Sequence, residues 1–364
     1  MEKLLPWLRL QFTPGLGRVG LMRLIAHFKT PEQALDAASK GWPNLPGLRK
    51  ELASLVPEIN TPRVQKAGQT LHDMNGWLCT FWDPDYPQAL RHISDPPALL
   101  YGCGSWPKEP SLAIVGARYP TNFGRVFTEQ LAEEVAAAGV VVISGLARGI
   151  DAAAHRGTLR GDGKTLAVLG CGIDQIYPRE NKQLYQQIIA QGTIISEYPP
   201  GSKPLAAHFP GRNRIISGLS QGTLVVEASR DSGSLITAEF SLEQGKEVMA
   251  VPGGVDHKTS YGPNLLIKQG AHPITEATEI LEIIGVDKVA QVASSSADSA
   301  LLLLPEPAGS ILHLLDLTPR HSDELAEGSG LTAMELSATL LQLELQEYAE
   351  KLPGGRYIRG RRAH

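Results

Sequence analysis

Ser111-Leu-Ala-Ile-Val-Gly-Ala-Arg118 and, beyond residues 119–139, Val140-Val-Val-Ile-Ser-Gly-Leu-Ala-Arg-Gly-Ile-Asp151 carry the fold assignment. Each is a short apolar, β-branched run that ends in a glycine-bearing turn, and a helix-length segment joins them. A strand covered on both faces reads as a continuous apolar run, so the pair predicts parallel strands joined by a crossover helix. The pattern continues outward through Leu166–Leu169, Thr193–Ser196, Thr223–Val226 and Glu247–Val251. Helical segments of about 10–16 residues separate most of these runs, as in a doubly wound sheet. The fold class is therefore α/β, an extended Rossmann-like parallel sheet spanning residues 77–290.

Ligands of such sheets bind outside the carboxyl ends of the strands. Four strands end there in small-residue turns: Gly116-Ala117-Arg118, Gly145-Leu146-Ala147-Arg148-Gly149, Gly170-Cys171-Gly172 and Pro252-Gly253-Gly254. Phe209-Pro210-Gly211-Arg212-Asn213-Arg214 adds cations at a helix start, and Ser232-Gly233-Ser234 opens another helix. Cations and free backbone N–H groups at helix N-termini suit phosphate. At this level the phosphate could belong to a nucleotide or to a nucleic-acid backbone. Asp151, Asp174, Glu197 and Glu227 lie near the strand ends, where orienting an arginine or satisfying loop N–H groups is a better fit than general-base chemistry.

Other chemistries fall away. Gly163-Lys164-Thr165 has Thr158 where a P-loop needs its first glycine, and it precedes a strand. There is no G-x-S-x-G elbow. His155, His208, His257 and His272 lack metal-ligand spacing, and Cys79, Cys103 and Cys171 form neither a disulfide framework nor a zinc pair. The start shows no long apolar signal segment, and no run approaches the ~20 residues of a membrane helix, so a cytoplasmic protein is expected. The net charge of −4 is uneven. Residues 1–76 carry 10 Lys/Arg against 6 Asp/Glu, whereas 77–290 carry 18 against 22. Any nucleic-acid site in the sheet domain must be a local pocket, not a basic face.

Gly15-Leu16-Gly17-Arg18-Val19-Gly20 spells G-x-G-x-x-G, but helix-spaced Leu4, Leu5, Leu8 and Phe12 precede it instead of a strand. Helix, glycine turn, helix predicts a helix-hairpin-helix in a helical domain at 1–76, with Gly15, Gly17 and Arg18 as possible backbone contacts to DNA. Pro46-Gly47-Leu48-Arg49-Lys50 reads as a weaker second copy. Residues 291–305 read as a linker. Ile311–Leu317, Ser322–Ala326, Thr332–Glu347 and the hairpin turn Pro353-Gly354-Gly355 then predict a winged helix at 306–364. Its third helix has no Lys or Arg but carries Glu335, Glu344 and Glu347, which favours protein contact or autoregulation over groove reading; Arg356, Arg359, Arg361 and Arg362 could touch backbone.

Six motifs, in order, resemble the bacterial DNA-processing protein A (Smf) family. They are Val115–Arg118, Ser144–Asp151, Leu169–Asp174 with Tyr177-Pro178, Ser196–Gly201, Phe209–Ser220 and Ser232–Ala238, with Tyr86-Pro87, Asp95-Pro96-Pro97 and Leu100-Tyr101 as lead-in. The resemblance implies a non-enzymatic recombination mediator that binds single-stranded DNA during natural transformation and loads the RecA recombinase. It further implies a homodimer formed through the sheet domain and no cofactor. Carried onto this chain, it makes Arg118 the leading phosphate contact, followed by Arg212, Asn213 and Arg214. Gly116, Ser144, Gly145, Gly170 and Gly233 would allow close backbone approach, Arg148 would join them, and Phe209 would stack on a base. Ala206 and Ala207 stand where a basic residue is expected, with Lys203 as the loop's cation. The competing reading is a Rossmann-like nucleotide sensor or nucleoside-phosphate hydrolase relying on Glu227 or Glu197.

Overall fold

The computed structural model describes residues 3–286, 306–316 and 318–360. The expected linker at 291–305 and the tail arginines Arg361 and Arg362 lie outside the described residues.

Four helices, α1 (Leu5–Gln11), α2 (Gly17–Phe28), α3 (Pro31–Ala38) and α4 (Pro62–Asp73), build the N-terminal unit. The α1–α2 turn passes through Gly15 and Gly17 at φ +80° and +57°, a region open to glycine without penalty. The second helix-hairpin-helix copy does not form. A bridge between Leu45 and Leu48 closes a tight turn, and only a six-residue 3-10 helix, Lys50–Leu55, follows it. Pro57 stands two residues beyond and leaves no room for a full helix.

The sheet then begins with a hairpin, β1 (Trp77–Thr80) and β2 (Leu99–Gly104), enclosing the short α5 (Gln88–Arg91). The alternating part follows as β3 (Ser111–Val115), α6 (Asn122–Ala137), β4 (Val141–Ser144), α7 (Ile150–Arg160), β5 (Thr165–Leu169), α8 (Lys182–Gln191) and β6 (Thr193–Ser196). It continues as α9 (His208–Leu219), β7 (Gly222–Val225), α10 (Gly233–Glu243), β8 (Glu247–Ala250), α11 (Tyr261–Lys268), β9 (His272–Pro273) and α12 (Ala277–Ile283). The order is β1-β2-β6-β5-β4-β3-β7-β8-β9, parallel from β6 to β9, with β2 antiparallel to β6.

Alternation along β3 divides the core. Leu112 and Ile114 pack with Leu131 and Val135 of α6 and Ile280 of α12, whereas Ala113 and Val115 meet Ile215 and Ile216 of α9 and Ala238 of α10. Leu8, Leu24 and Leu71 share one buried cluster with Leu99, Tyr101 and Leu169. The helical unit is thus packed onto the antiparallel edge of the sheet rather than tethered to it. Among the described residues no helix is long and apolar enough to cross a membrane.

The C-terminal unit comprises α13 (Ala308–Leu314), β10 (Arg320–His321), α14 (Ser322–Ser329), α15 (Ala333–Leu345), β11 (Ala349–Leu352) and β12 (Arg356–Arg359). Thr332 and Glu335 close a capping box at the start of α15. This unit touches the sheet domain through Arg125 Nη2 to Glu350 Oε1, at 2.9 Å, and through a small cluster of Val126, Leu352 and Ile358.

Candidate functional site

From β3 the chain winds through β4 and β5 to β6, and α9 then carries it back to β7 on the other side of β3. The end of β3 is therefore the point where strand order reverses, the usual crevice of such sheets. A cleft of about 800 Å³ opens there, between the loops after β3 and β4, the start of α9 and the start of α10.

Phe209 is part of its lining. Arg118 and Arg212 each place a guanidinium carbon 5.9 Å from the ring centroid, and Tyr177 is tilted against it at 5.6 Å. Gly170 lies beneath, where a Cβ would come within 3.0 Å of the ring. Arg118 is exposed and has no carboxylate partner among the described residues.

Arg212 is 4% exposed and serves the scaffold. Its Nη1 donates to Gly145 O at 2.7 Å and to Val168 O, tying the ends of β4 and β5 together. A Cβ at Gly145 would strike this guanidinium at 2.4 Å, which explains the glycine. Asp151, in the first turn of α7, balances the buried charge while accepting from the N–H groups of Gly145 at 3.1 Å and Ala147 at 3.3 Å. Burial depresses the Arg212 pKa and raises that of Asp151, and each charge partly offsets the other's cost.

Arg214 is 3% exposed and does not line the cleft. Its Nη2 donates to Glu197 Oε1 at 2.8 Å, and its Nε donates to Asp95 O at 2.8 Å. Arg18 meets the same Asp95 (Nε to Oδ1, 3.0 Å), so this network braces α2 against the sheet. Arg148 is paired in a fork with Glu180. Ser144 donates to Ile114 O at 2.7 Å and is fully buried. Gly116 cannot carry a Cβ, which would sit 2.7 Å from Ile150.

Asn213 and Gly233 face the cleft, joined by Asn213 Nδ2 donating to Gly233 O at 3.2 Å. Gly233 opens α10 and meets nothing within 4 Å of an added Cβ, so no packing contact demands a glycine. Lys203 belongs elsewhere: with Gly17, Arg18 and Arg63 it lines a second cavity between the helical unit and the sheet. Gly15 stays in the α1–α2 turn, away from both.

The carboxylates of the hydrolase reading are committed to structure. Glu227 accepts from Thr121 N at 3.0 Å and from Thr121 Oγ1, fixing the cap of α6, and Glu197 holds Arg214. Cys171 and Cys79 are pushed up to about 11 by burial, so neither is a thiolate at neutral pH. Sequence reasoning did not single out Tyr177 as a wall of the cleft, nor Asp231, which is exposed and lines it. Tyr177 had a signal in the Tyr-Pro dipeptide after β5, while Asp231 had none. The charge balance of the cleft is thus near neutral, with Arg118 its one exposed, unpaired cation among the described residues.

A doubly wound α/β domain with a crevice at its switch point, flanked by a helical unit and a winged helix, defines the class. Residues 77–285 match the family described as DNA recombination-mediator protein A, and residues 295–355 match the DprA winged helix domain. The chain is 34% identical to Protein Smf of Synechocystis sp. over 97% of this chain and 98% of that one. It is 38% identical to Protein Smf of Escherichia coli, over 98% and 96%. The X-ray structure of DNA processing protein A from Streptococcus pneumoniae superposes with a TM-score of 0.64 at 34% identity, covering 75% of this chain and 95% of that one. DNA processing protein A from Helicobacter pylori, described for its single-stranded DNA binding mode, gives 0.52 at 30% identity over 58% and 97%. This chain belongs to the DNA recombination-mediator protein A family.

Proposed function

We propose that the switch-point cleft holds a single strand of DNA and that the protein acts as a recombination mediator, delivering that strand to RecA. The observation that carries this reading is the pairing of Phe209 with Arg118: an aromatic ring inside a cleft beside an exposed, unneutralised cation. Stacking on a ring is tolerant of base identity and is worth about 1–3 kcal/mol per base. The N–H groups at the start of α10, left open by Gly233, are placed for a phosphate. The single-stranded DNA binding mode described for the Helicobacter pylori relative supports the choice of single-stranded DNA over a mononucleotide. Arg212 and Arg214 act as positioning residues, one holding the cleft floor and the other the α9 base.

Arg118→Ala should weaken binding to single-stranded oligonucleotides and lower the slope of log affinity against log salt by about 0.7, one phosphate's worth. Fluorescence anisotropy across a salt series measures both. An unchanged slope would remove Arg118 from the site. RecA delivery and self-association through the sheet domain complete the proposal. The first is read by RecA filament formation on strand coated with single-strand-binding protein, and the second by sedimentation. The winged helix fits a protein-facing role: Met334, Leu341 and Leu345 stand exposed on α15, which bears no cation.

A further inference from the structure

Among the described residues the switch-point cleft offers a strand one unpaired cation, and further free cations lie across a strap of chain. Residues 203–209 run between two cavities, and their side chains alternate. Pro204, Ala206 and Phe209 line the cleft, whereas Lys203, Leu205 and His208 line the second cavity, of about 670 Å³. That cavity lies between α1, α2 and α4 on one side and the ends of β2 and β6 on the other.

Its lining repeats the chemistry of the first. Arg63 is exposed with its guanidinium 4.3 Å over Phe12, and Lys203 is exposed. Neither has a carboxylate partner among the described residues. Tyr198 and His208 stack at 3.9 Å between centroids, 14° from parallel. His208 Nδ1 donates to Gly170 O at 3.1 Å, which anchors this pair to the loop beneath Phe209. The other charges present, Arg18 and Glu197, are spent on Asp95 and Arg214. Free cations beside aromatic rings in a cavity are the elements of a single-strand groove.

We propose that this cavity is a second subsite for the same DNA strand, which crosses the strap at 203–209 and places further nucleotides between the helical unit and the sheet, with Arg63 and Lys203 on phosphates and the Tyr198–His208 pair as a base platform. The inference rests on the cleft binding single-stranded DNA. It gives the helical unit a direct part in binding through α4 and the α1–α2 turn, without a helix-hairpin-helix grip on duplex.

Full-length protein and thymidine oligonucleotides of graded length test it, with Arg63→Ala/Lys203→Ala compared against Arg118→Ala. Both substituted residues of the double variant are exposed, so its fold is expected to be unaffected. The double variant should match the parent on oligonucleotides short enough to fill the cleft alone. On longer ones it should lose about 1.4 from the salt slope, two phosphates' worth. Tyr198→Ala should cost about 5- to 150-fold on the longer oligonucleotides, the loss of one stacked base. An unchanged long-oligonucleotide slope in the double variant, with Arg118→Ala reduced at every length, overturns the second subsite and keeps the cleft. If Arg118→Ala is also unchanged at every length, the cleft reading itself has failed.

Discussion

Arg118 and Arg212 reach the same Phe209 ring at the same distance, yet their neighbours give them different work. Arg212 is enclosed, bonded to two strand-end carbonyls and balanced by Asp151, so removing it would disturb the floor before it disturbed a ligand. Arg118 touches solvent, and its loss reads out binding alone. Behind Arg212 sits His155, fully buried, with its Nδ1 2.7 Å from Thr165 Oγ1. The Thr165 hydroxyl donates to Val142 O, so His155 must carry its proton on Nδ1, and its buried Nε2 is left without a partner. Desolvation, with Arg212 adding to it, drops the His155 pKa from 6.5 to about 3. A folded-state value below the unfolded one means stability is complete above pH 6.5 and is lost as pH falls toward 3. Between pH 7 and pH 5 that loss is about 2 kcal/mol. His155→Gln, which cannot titrate, should flatten this part of the pH–stability curve even if its stability at pH 7 is lower. Urea midpoints at the two pH values decide it, and an unaltered pH dependence would place the titration elsewhere.

The start of α10 and the loop after β5 make the same comparison at the level of elements. Gly170 is dictated by Phe209, whereas Gly233 faces open space at a backbone angle available to any residue. Gly233→Ala should therefore hold or raise the melting temperature, by up to about 1 kcal/mol of stability, because it narrows the unfolded ensemble. It should nevertheless weaken single-strand binding, since the methyl group intrudes where a phosphate approaches the α10 N–H groups. Gly170→Ala should do the reverse in part, shifting the Phe209 ring by tenths of an ångström and lowering both stability and affinity. Calorimetry and anisotropy separate the two, and full affinity in Gly233→Ala would exclude α10 from the site. These elements were largely legible in the sequence. Six apolar runs marked six parallel strands almost to the residue, because a strand buried on both faces cannot hide its composition. The hairpin β1–β2 was not legible as sheet, since an antiparallel edge of four to six residues with Gly102 and Gly104 leaves no such run. The cleft residues were legible as a set but not their division of labour. Whether Arg214 meets Glu197 and Asp95, or Lys246 caps α9 by donating to Ser217 O and Gly218 O, depends on long-range neighbours that local sequence does not encode.

Across the whole molecule, the two appended units are joined to the sheet domain by different physics. The helical unit shares a continuous apolar core with β2 and α8, and the Arg18–Asp95–Arg214–Glu197 network locks its register. Among the described residues, the winged helix meets the sheet domain through one partly exposed ion pair and an apolar cluster of Val126, Leu352 and Ile358. An ion pair of that exposure contributes about 0.2–1 kcal/mol, so this unit is expected to dock more weakly than the helical unit. The contact falls on α6 at Arg125 and Val126, one turn beyond Thr121, the cap held by Glu227 at the end of the loop that bears Arg118. The docking contact therefore lies one helical turn from the cap that ends the Arg118 loop. Glu350→Arg, which sets two guanidinium groups against each other, should shift the winged helix toward the undocked state. Energy transfer between dyes on α8 and α14 should fall accordingly. The double reversal Arg125→Glu/Glu350→Arg should recover part of it, because the pair is rebuilt with its sign exchanged, and only part, because Glu129, which Arg125 also meets at 3.6 Å, repels the new carboxylate. The same two variants should change single-strand affinity by no more than about 5-fold, the equivalent of 1 kcal/mol. An unchanged transfer signal in Glu350→Arg would assign the docking to Val126, Leu352 and Ile358 alone, and would make it insensitive to salt as well.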